Sequence, residues 1–314
     1  MLSPVCELKL KDFADMFGTT VDDISENCGS FIEKHDFRYR QLEPQERDKI
    51  ILNVLKKIET DRQIIGAPER YNVWHEGWEA NLKDFLESGY DLGKLTPKFI
   101  RPNQVVRLNQ NYVLPINPNF ELDYISVFRI WLFKKYLNNF DAIYEFGCGT
   151  GFNLVALSQI YPDKRLYGLD FVMSSVDLVN KIGETHKLNL KSYIFDMVSP
   201  DGVFELEQNS AVFTFGAIEQ LAGKFDAFLK FLLKEPPGIC IHIEPAIELY
   251  DQNNLVDYLA IKFHEKRGYT ENLLPYLQNL ECQRKIEILK TKRLFFGSLY
   301  MEGYSLIVWR PVTY

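Results

Sequence analysis

The chain has 314 residues, of which 46% are hydrophobic and 25% are charged, and this composition is typical of a folded soluble protein with a sizeable core. Its net charge of −7 makes a nucleic-acid partner a poor expectation, because phosphate binding needs clustered cations. No apolar run approaches the roughly 20 residues that span a bilayer, and no basic leader followed by an apolar stretch opens the chain. We therefore expect a cytoplasmic protein without a membrane span.

The cysteine pattern argues against covalent or metal cross-links. The count is odd and no C-x-x-C pair occurs, so neither a disulfide framework nor a zinc knuckle is expected. Free thiols fit a reducing compartment. The five cysteines are Cys6, Cys28, Cys148, Cys240 and Cys282.

The first part of the chain is predicted to be mainly helical. Apolar residues recur at helical spacing over 48–61, and 79–86 indicates another short helix. Residues 104–115 are predicted to form a hairpin with a polar turn. A change of texture follows, so we predict a helical N-terminal cap domain over 1–118 and a second domain over 119–314.

In the second domain, strands and helices alternate after a helix over 124–136. This alternation predicts an α/β fold with a doubly wound, mainly parallel sheet. The last two strands lack a long helix between them and can pair antiparallel at the sheet edge. The predicted strands are 142–146, 165–170, 191–196, 210–215, 238–244, 285–289 and 304–309.

The strongest local signal is a strand, a glycine loop and a helix over 142–160. Gly147, Gly149 and Gly151 remove side chains where the chain must turn sharply and where a ligand can approach the backbone. Asp170 ends the next strand, where a carboxylate can accept hydrogen bonds from both ribose hydroxyls of a nucleoside. Open α/β sheets bind their ligands at such strand ends. The pattern therefore predicts a nucleoside-bearing ligand.

A dinucleotide-binding protein, such as a nicotinamide-dependent oxidoreductase, carries a related pattern. Its G-x-G-x-x-G fingerprint needs a third glycine at position 152, where this chain has Phe152. Glu145 also disfavours a phosphate, because its carboxylate would repel one. An acidic rim instead suits a sulfonium-bearing amino acid.

The segment 145–151 (EFGCGTG) resembles motif I of the class I S-adenosylmethionine-dependent methyltransferases, and the resemblance extends over about the last two thirds of the chain. It implies the Rossmann-like methyltransferase fold, with a seven-stranded sheet, and S-adenosyl-L-methionine as cofactor. The positions that match the family's cofactor-binding residues are Glu145, Gly147, Cys148, Gly149, Gly151, Asp170, Phe171, Asp196, Met197, Phe215 and Gly216.

The resemblance also implies what some of these residues contact. Asp170 matches the ribose-binding acid, Phe171 the apolar group packed on adenine, and Asp196 the acid that binds the adenine amino group. Phe215 and Gly216 match the strand end that faces the methyl group. Taken alone, Asp196 also fits a helix cap and Phe171 also fits the core.

The acceptor side is defined by fewer residues. No Asn-Pro-Pro-Tyr type motif follows the fourth strand, which disfavours N-methylation of DNA or glutamine. Glu219 lies just past that strand end and Glu244 ends the fifth strand, with His242 on the same face by strand alternation. We take these three as candidate catalytic residues, a base and an orienter for a hydroxyl acceptor. A structural hydrogen bond explains His242 equally well, and no third ligand suggests a metal.

Two further runs admit two interpretations each. Trp74 and Trp78 flank His75 and can stack on a sugar or another ring, or form the local core of a helical domain. The run 264–269 closes a helix at Gly268 and can contact the acceptor, or simply form a solvated helix end.

The sequence as a whole predicts an S-adenosylmethionine-dependent methyltransferase acting on a small molecule. We favour an O-methyltransferase on a sugar or glycan precursor, because the region after the fourth strand resembles bacterial methyltransferase-domain proteins associated with surface sugars. The N-terminal cap would close over the acceptor. The alternative is a catalytically silent, S-adenosylmethionine-binding scaffold module. The acceptor, the methylated atom and the oligomeric state are not defined by these residues.

Overall fold

The structure is a computed structural model that describes residues 4–66 and 70–312, and only the backbone of Arg70. The amino-terminal elements are β1 (Val5–Glu7), α1 (Leu10–Phe17), α2 (Val21–Ile32), β2 (Arg38–Gln41), α3 (Pro44–Thr60), α4 (Arg70–Glu87), β3 (Val106–Leu108) and β4 (Asn111–Pro115). The elements that follow are α5 (Phe120–Tyr136), β5 (Ala142–Phe146), α6 (Phe152–Ile160), β6 (Arg165–Asp170), α7 (Met173–His186), β7 (Leu190–Ile194), β8 (Ser210–Phe215), α8 (Asp226–Lys234), β9 (Ile239–Glu244), α9 (Leu255–Arg267), α10 (Leu273–Cys282), β10 (Ile286–Arg293), β11 (Phe296–Gly297) and β12 (Ser305–Pro311).

The larger sheet has seven strands in the order β10-β12-β9-β8-β5-β6-β7. The five adjacent strands β9, β8, β5, β6 and β7 are parallel to one another. β12 is antiparallel to both β9 and β10. The predicted α/β class with a doubly wound, mainly parallel, seven-stranded sheet is confirmed, including the antiparallel pair at the edge, whereas the mainly helical N-terminal domain stays a prediction. The carboxyl ends of the five parallel strands therefore meet along one side of the sheet, where folds of this type bind ligands.

Helices cover both faces of this sheet, because its strands carry apolar side chains on both sides. On one face, Ile143 and Phe213 belong to a core that includes Trp131 of α5. On the other face, Phe146 belongs to a core that includes Leu277 of α10. The fully buried Trp131 shows how α5, which directly precedes β5, is held against the sheet.

The amino-terminal region combines helices with a second, five-stranded sheet. Its strand order is β1-β2-β4-β3-β11, and the pair of β3 and β4 is the predicted hairpin. Its last strand, β11, comes from near the carboxyl end of the chain. Phe17 of α1 packs on Trp131 of α5, with 5.2 Å between the ring centroids. Because sheet and core are shared in this way, the division at residue 118 stays a proposal.

Other expectations concern membranes, metals and thiols. Within the two described ranges, no helix combines the length and apolar character needed to cross a bilayer. The same ranges contain no group of three metal-ligating side chains brought together. All five cysteines are free thiols.

Candidate cofactor and acceptor site

The glycine loop between β5 and α6 adopts a backbone that requires glycine. Gly147, Gly149 and Gly151 have φ angles of 73°, 52° and 73°, a region that side chains disfavour. Space is also limited, since a Cβ at Gly147 would lie 2.4 Å from the Cβ of Ala217. The N–H groups of Gly147 and Cys148 donate to the Leu169 carbonyl at 2.7 and 3.1 Å, which ties the loop to β6. Cys148 is buried, and burial raises the pKa of its thiol.

Asp170 lies against this loop at the end of β6, where the resemblance places the ribose acid. Its Oδ2 accepts a hydrogen bond from the Gly149 N–H at 3.0 Å, and its Oδ1 accepts one from the Val172 N–H at 3.1 Å. Burial raises the pKa of Asp170 to about 6. The carboxylate thus joins the two loops that follow β5 and β6.

The remaining cofactor candidates follow β6 and β7. Phe171 is 40% exposed, and its ring meets the edge of Tyr71. Asp196 is exposed and accepts a hydrogen bond from the Val198 N–H at 2.8 Å. Met197 is buried close to Gly147. All three therefore lie on the ligand-binding side of the sheet.

At the end of β8, the chain turns through Gly216 toward Glu219. A Cβ at Gly216, with φ of 65°, would find Glu219 Oε1 at 3.9 Å as its nearest neighbour. Phe215, just before the turn, packs on Tyr304. The side-chain amide of Gln220 donates to Glu219 Oε1 at 2.7 Å. Burial and then the nearby charge of Glu244 raise the pKa of Glu219 to about 8. A carboxyl group that titrates near neutral pH therefore lies beside the strand end.

Glu244 ends β9, and both oxygens of its side chain accept hydrogen bonds from backbone N–H groups. Its Oε1 accepts hydrogen bonds from the N–H groups of Ala217 and Ile218 at 3.0 and 3.1 Å, and its Oε2 accepts one from Glu219 at 3.0 Å. Burial raises its pKa. These three bonds hold the turn that follows β8, so Glu244 positions Glu219.

His242 lies two residues earlier and shares a face with Glu244, as predicted. Its side chain is fully buried, and its Nδ1 is 3.0 Å from the Thr214 hydroxyl oxygen. Burial lowers the pKa of His242 to about 3, so the ring is neutral at physiological pH. A neutral ring that is enclosed within the sheet fits a structural role better than a catalytic one.

Glu145, Asn153 and Arg129 form a group that the sequence pattern did not identify as a unit. The Asn153 amide donates to Glu145 Oε1 at 2.7 Å, and Arg129 Nη1 lies 3.5 Å from Asn153 Oδ1. Arg129 also donates to the Phe152 carbonyl at 3.1 Å and stacks on that ring. Burial raises the pKa of Glu145 to about 8 and lowers that of Arg129 to about 10.

This group has unused hydrogen-bonding capacity. No residue in the described part of the chain hydrogen-bonds Glu145 Oε2 or Arg129 Nε, although both atoms are buried. Buried polar atoms are normally paired, so an unpaired carboxyl oxygen and an unpaired guanidinium nitrogen in one group leave a place where polar groups of a ligand can bind. A signal was present in the sequence, since Arg129 is the one charged residue in the largely apolar and aromatic stretch 124–133 of α5.

The run 264–269 is mostly used in tertiary structure. His264 is buried with its Nε2 2.9 Å from the Thr270 carbonyl oxygen. Arg267 Nε donates to Asp61 at 2.9 Å, and its Nη1 donates to the Tyr269 hydroxyl at 2.9 Å. Gly268 forms the predicted left-handed C-cap of α9. This helix end therefore joins α9 to the amino-terminal region through Asp61.

Similarity to known proteins is found at the level of the fold alone. No protein-family model and no curated protein matches the chain. The [4+2]-cyclase SpnF is similar in structure, with a TM-score of 0.52 and 12% identity over 80% of this chain and 100% of that one.

Two similar structures with lower scores are methyltransferases by name. The methyltransferase domain of bacterial CtHen1 has a TM-score of 0.44 and 15% identity over 62% of this chain and 97% of that one. Geranyl diphosphate C-methyltransferase from Streptomyces coelicolor A3(2) has a TM-score of 0.40 and 14% identity, over 63% and 85%. The seven-stranded sheet and the SpnF match confirm, at the level of the fold alone, the Rossmann-like architecture that the resemblance of segment 145–151 implies.

Proposed function

We propose that this protein binds S-adenosylmethionine over the glycine loop and transfers its methyl group to a small-molecule acceptor. The observation that carries the proposal is the pair of unpaired buried atoms, Glu145 Oε2 and Arg129 Nε. The amino-acid end of this cofactor carries an ammonium and a carboxylate, which are complementary to the carboxylate and the guanidinium. A phosphate-bearing dinucleotide has no group that matches Glu145.

The other cofactor contacts follow from the same placement. Asp170 would bind the ribose, and Phe171, Asp196 and Met197 would surround the adenine. When bound, S-adenosylmethionine supplies a methyl group on a sulfonium, which is already a good leaving group. The protein's contribution is then to align the acceptor and exclude water.

On the acceptor side, we propose O-methylation, with a sugar or glycan precursor as the substrate class. Glu219 is the candidate base, because a pKa of about 8 suits proton abstraction near neutral pH. Glu244 acts as a positioning residue through the turn that it holds. His242 makes no contact with the acceptor in this proposal, because its ring is fully buried.

The test is methyl transfer from labelled S-adenosylmethionine to a panel of sugars, phenols and amines. We expect label in a hydroxyl-bearing acceptor, with a rate that rises with pH around a midpoint near 8. Glu219→Gln should lose most of the rate and the pH dependence, because an amide cannot accept the proton. Glu205→Gln, at an exposed position, is the matched control. A Glu219→Gln variant with the wild-type pH profile would remove Glu219 from the proposal.

A second candidate function is a cofactor-binding module that transfers no methyl group. The SpnF match favours keeping it, because a protein described as a cyclase has the same fold over 80% of this chain. Saturable cofactor binding without labelled product from any acceptor in the panel would support this second candidate over the first.

A further inference from the structure

Residues 70–95, hereafter the covering segment, lie directly over the candidate cofactor site. The Trp78 indole packs on the glycine loop so closely that a Cβ at Gly149 would lie 3.0 Å from it. The Thr150 hydroxyl donates to the Leu95 carbonyl at 2.7 Å, and the Ser174 hydroxyl donates to the His75 carbonyl at 3.2 Å. The covering segment therefore contacts the loop that follows β5 and the first turn of α7, which follows β6.

The carboxyl-terminal half of the covering segment is firmly anchored. Phe85 and Leu95 are almost completely buried in the main core, and Asn81 is buried as well. His186 of α7 lies with its Nε2 2.9 Å from the Tyr90 carbonyl oxygen. These contacts fix residues 81–95 against α7 and the glycine loop.

The amino-terminal half of α4 is held more loosely. Tyr71 and Val73 are 47% and 46% exposed. The His75 Nδ1 is buried, yet nothing in residues 4–66 or 70–312 hydrogen-bonds to it. Gly77 lies inside the helix with no atom within 4 Å of an added Cβ, and glycine weakens a helix interior. This half can therefore unwind at a lower free-energy cost than residues 81–95.

These observations bear on how the cofactor enters, an inference that rests on the proposed function. A cofactor lying over the glycine loop needs the face of Gly149 that the Trp78 indole now covers. We propose that Trp78 is a gate: its indole and the cofactor compete for the face of Gly149, and cofactor binding requires the amino-terminal half of α4 to move away.

A competing gate reduces the apparent affinity by the fraction of molecules that are open. Trp78→Ala should therefore bind S-adenosylhomocysteine about 5-fold more tightly than the wild type. Gly77→Ala should bind about 5-fold more weakly, because alanine stabilises the closed helix. Lys83→Ala, at an exposed position in the half of α4 that stays in place, should match the wild type. Isothermal titration of the 314-residue chain measures all four affinities.

The outcomes separate the gate from the proposed function. If the wild type binds and Trp78→Ala binds equally or more weakly with a native circular dichroism spectrum, the gate is wrong and Trp78 is part of the cofactor's wall. If Trp78→Ala does not fold, Gly77→Ala decides, and unchanged affinity there overturns the gate. If neither the wild type nor either variant binds, the proposed function fails and the gate with it.

Amide hydrogen exchange gives a second measurement on the wild type alone. S-adenosylhomocysteine should speed exchange over residues 71–78 while leaving residues 81–90 unchanged, because only the first half moves. Slower exchange over 71–78 would show that the segment closes on the ligand, which contradicts competition.

Discussion

Two buried glutamates end neighbouring parts of the same sheet, and they have opposite environments. Glu244, at the end of β9, accepts three backbone hydrogen bonds that occupy both of its oxygens. Glu145, at the end of β5, accepts one from Asn153, and no described residue donates to its second oxygen. Arg129, beside it, likewise has a buried Nε that no described residue pairs.

The difference shows how a structural carboxylate can be told from one available to a ligand. Desolvating a carboxylate costs free energy that hydrogen bonds must offset. At Glu244 the protein supplies those bonds itself, and the result is a fixed turn after β8. At Glu145 part of the compensation is missing, so the free carboxyl group keeps its proton, and a cationic ligand group can take that proton's place. The predictions below test this contrast.

The largest effect is expected at Arg129. Arg129→Met keeps most of the side-chain volume but removes the cation, so affinity for S-adenosylmethionine should fall about 100-fold by isothermal titration. Arg165→Met is the matched control, because Arg165 starts β6 at the opposite side of the sheet and is paired with Glu207 near the surface. Affinity within about 3-fold of wild type would mean that Arg129 does not face the cofactor.

The unpaired state of Glu145 should appear in the pH dependence of stability. Its pKa is raised from 4.5 to about 8 in the folded protein, so between these values the native state holds a proton that the unfolded state has released. The free energy of unfolding should therefore fall as pH rises from 5 to 8.

Urea denaturation at several pH values tests this, with Glu145→Gln as the variant. The fall should be smaller in Glu145→Gln by about 3 kcal/mol, because the amide does not titrate. Glu205→Gln, at an exposed position, should behave like the wild type. Parallel curves for the wild type and Glu145→Gln would show that Glu145 is not held protonated.

At Glu244 the expected effect is on stability. Glu244→Gln keeps a single carbonyl oxygen, so the Glu219 N–H loses its acceptor and the unfolding free energy should fall by about 2 kcal/mol. Cofactor affinity should change little, because Glu244 holds the turn after β8 and not the glycine loop. Full stability combined with lost cofactor binding would reverse the assignments of the two glutamates.

The smallest effect is expected at His242. His242→Leu replaces a neutral buried ring by an apolar side chain of similar size, so the unfolding free energy should change by less than about 1 kcal/mol. Methyl transfer should be unaffected. A stable variant that no longer transfers the methyl group would show that His242 takes part in catalysis after all.

Much of the fold was predictable because strand and helix periodicities are local. β5, β6 and β8 have the predicted bounds, since each is a buried apolar run closed by glycine or aspartate. The amino-terminal sheet was less predictable from the sequence. β1 and β2 are three and four residues long, and β11 pairs with β3 from the other end of the chain.

The candidate site, like the fold, was only partly predictable from the sequence. The glycine loop and Asp170 were identifiable, because their geometry is set within one strand-loop-helix unit and its neighbour. The hydrogen bonds of Glu244 depend on the backbone of the turn after β8. The position of Arg129 depends on the packing of α5. The placement of Trp78 on Gly149 joins residues that are far apart in sequence. No spacing rule contains contacts of this kind.

The most direct test is a calorimetric titration of S-adenosylmethionine into the wild-type 314-residue chain, repeated with Arg129→Met and Trp78→Ala. We expect saturable binding with one molecule per chain, about 100-fold weaker in the first variant and about 5-fold tighter in the second. Absence of binding by both the wild type and folded Trp78→Ala would contradict it.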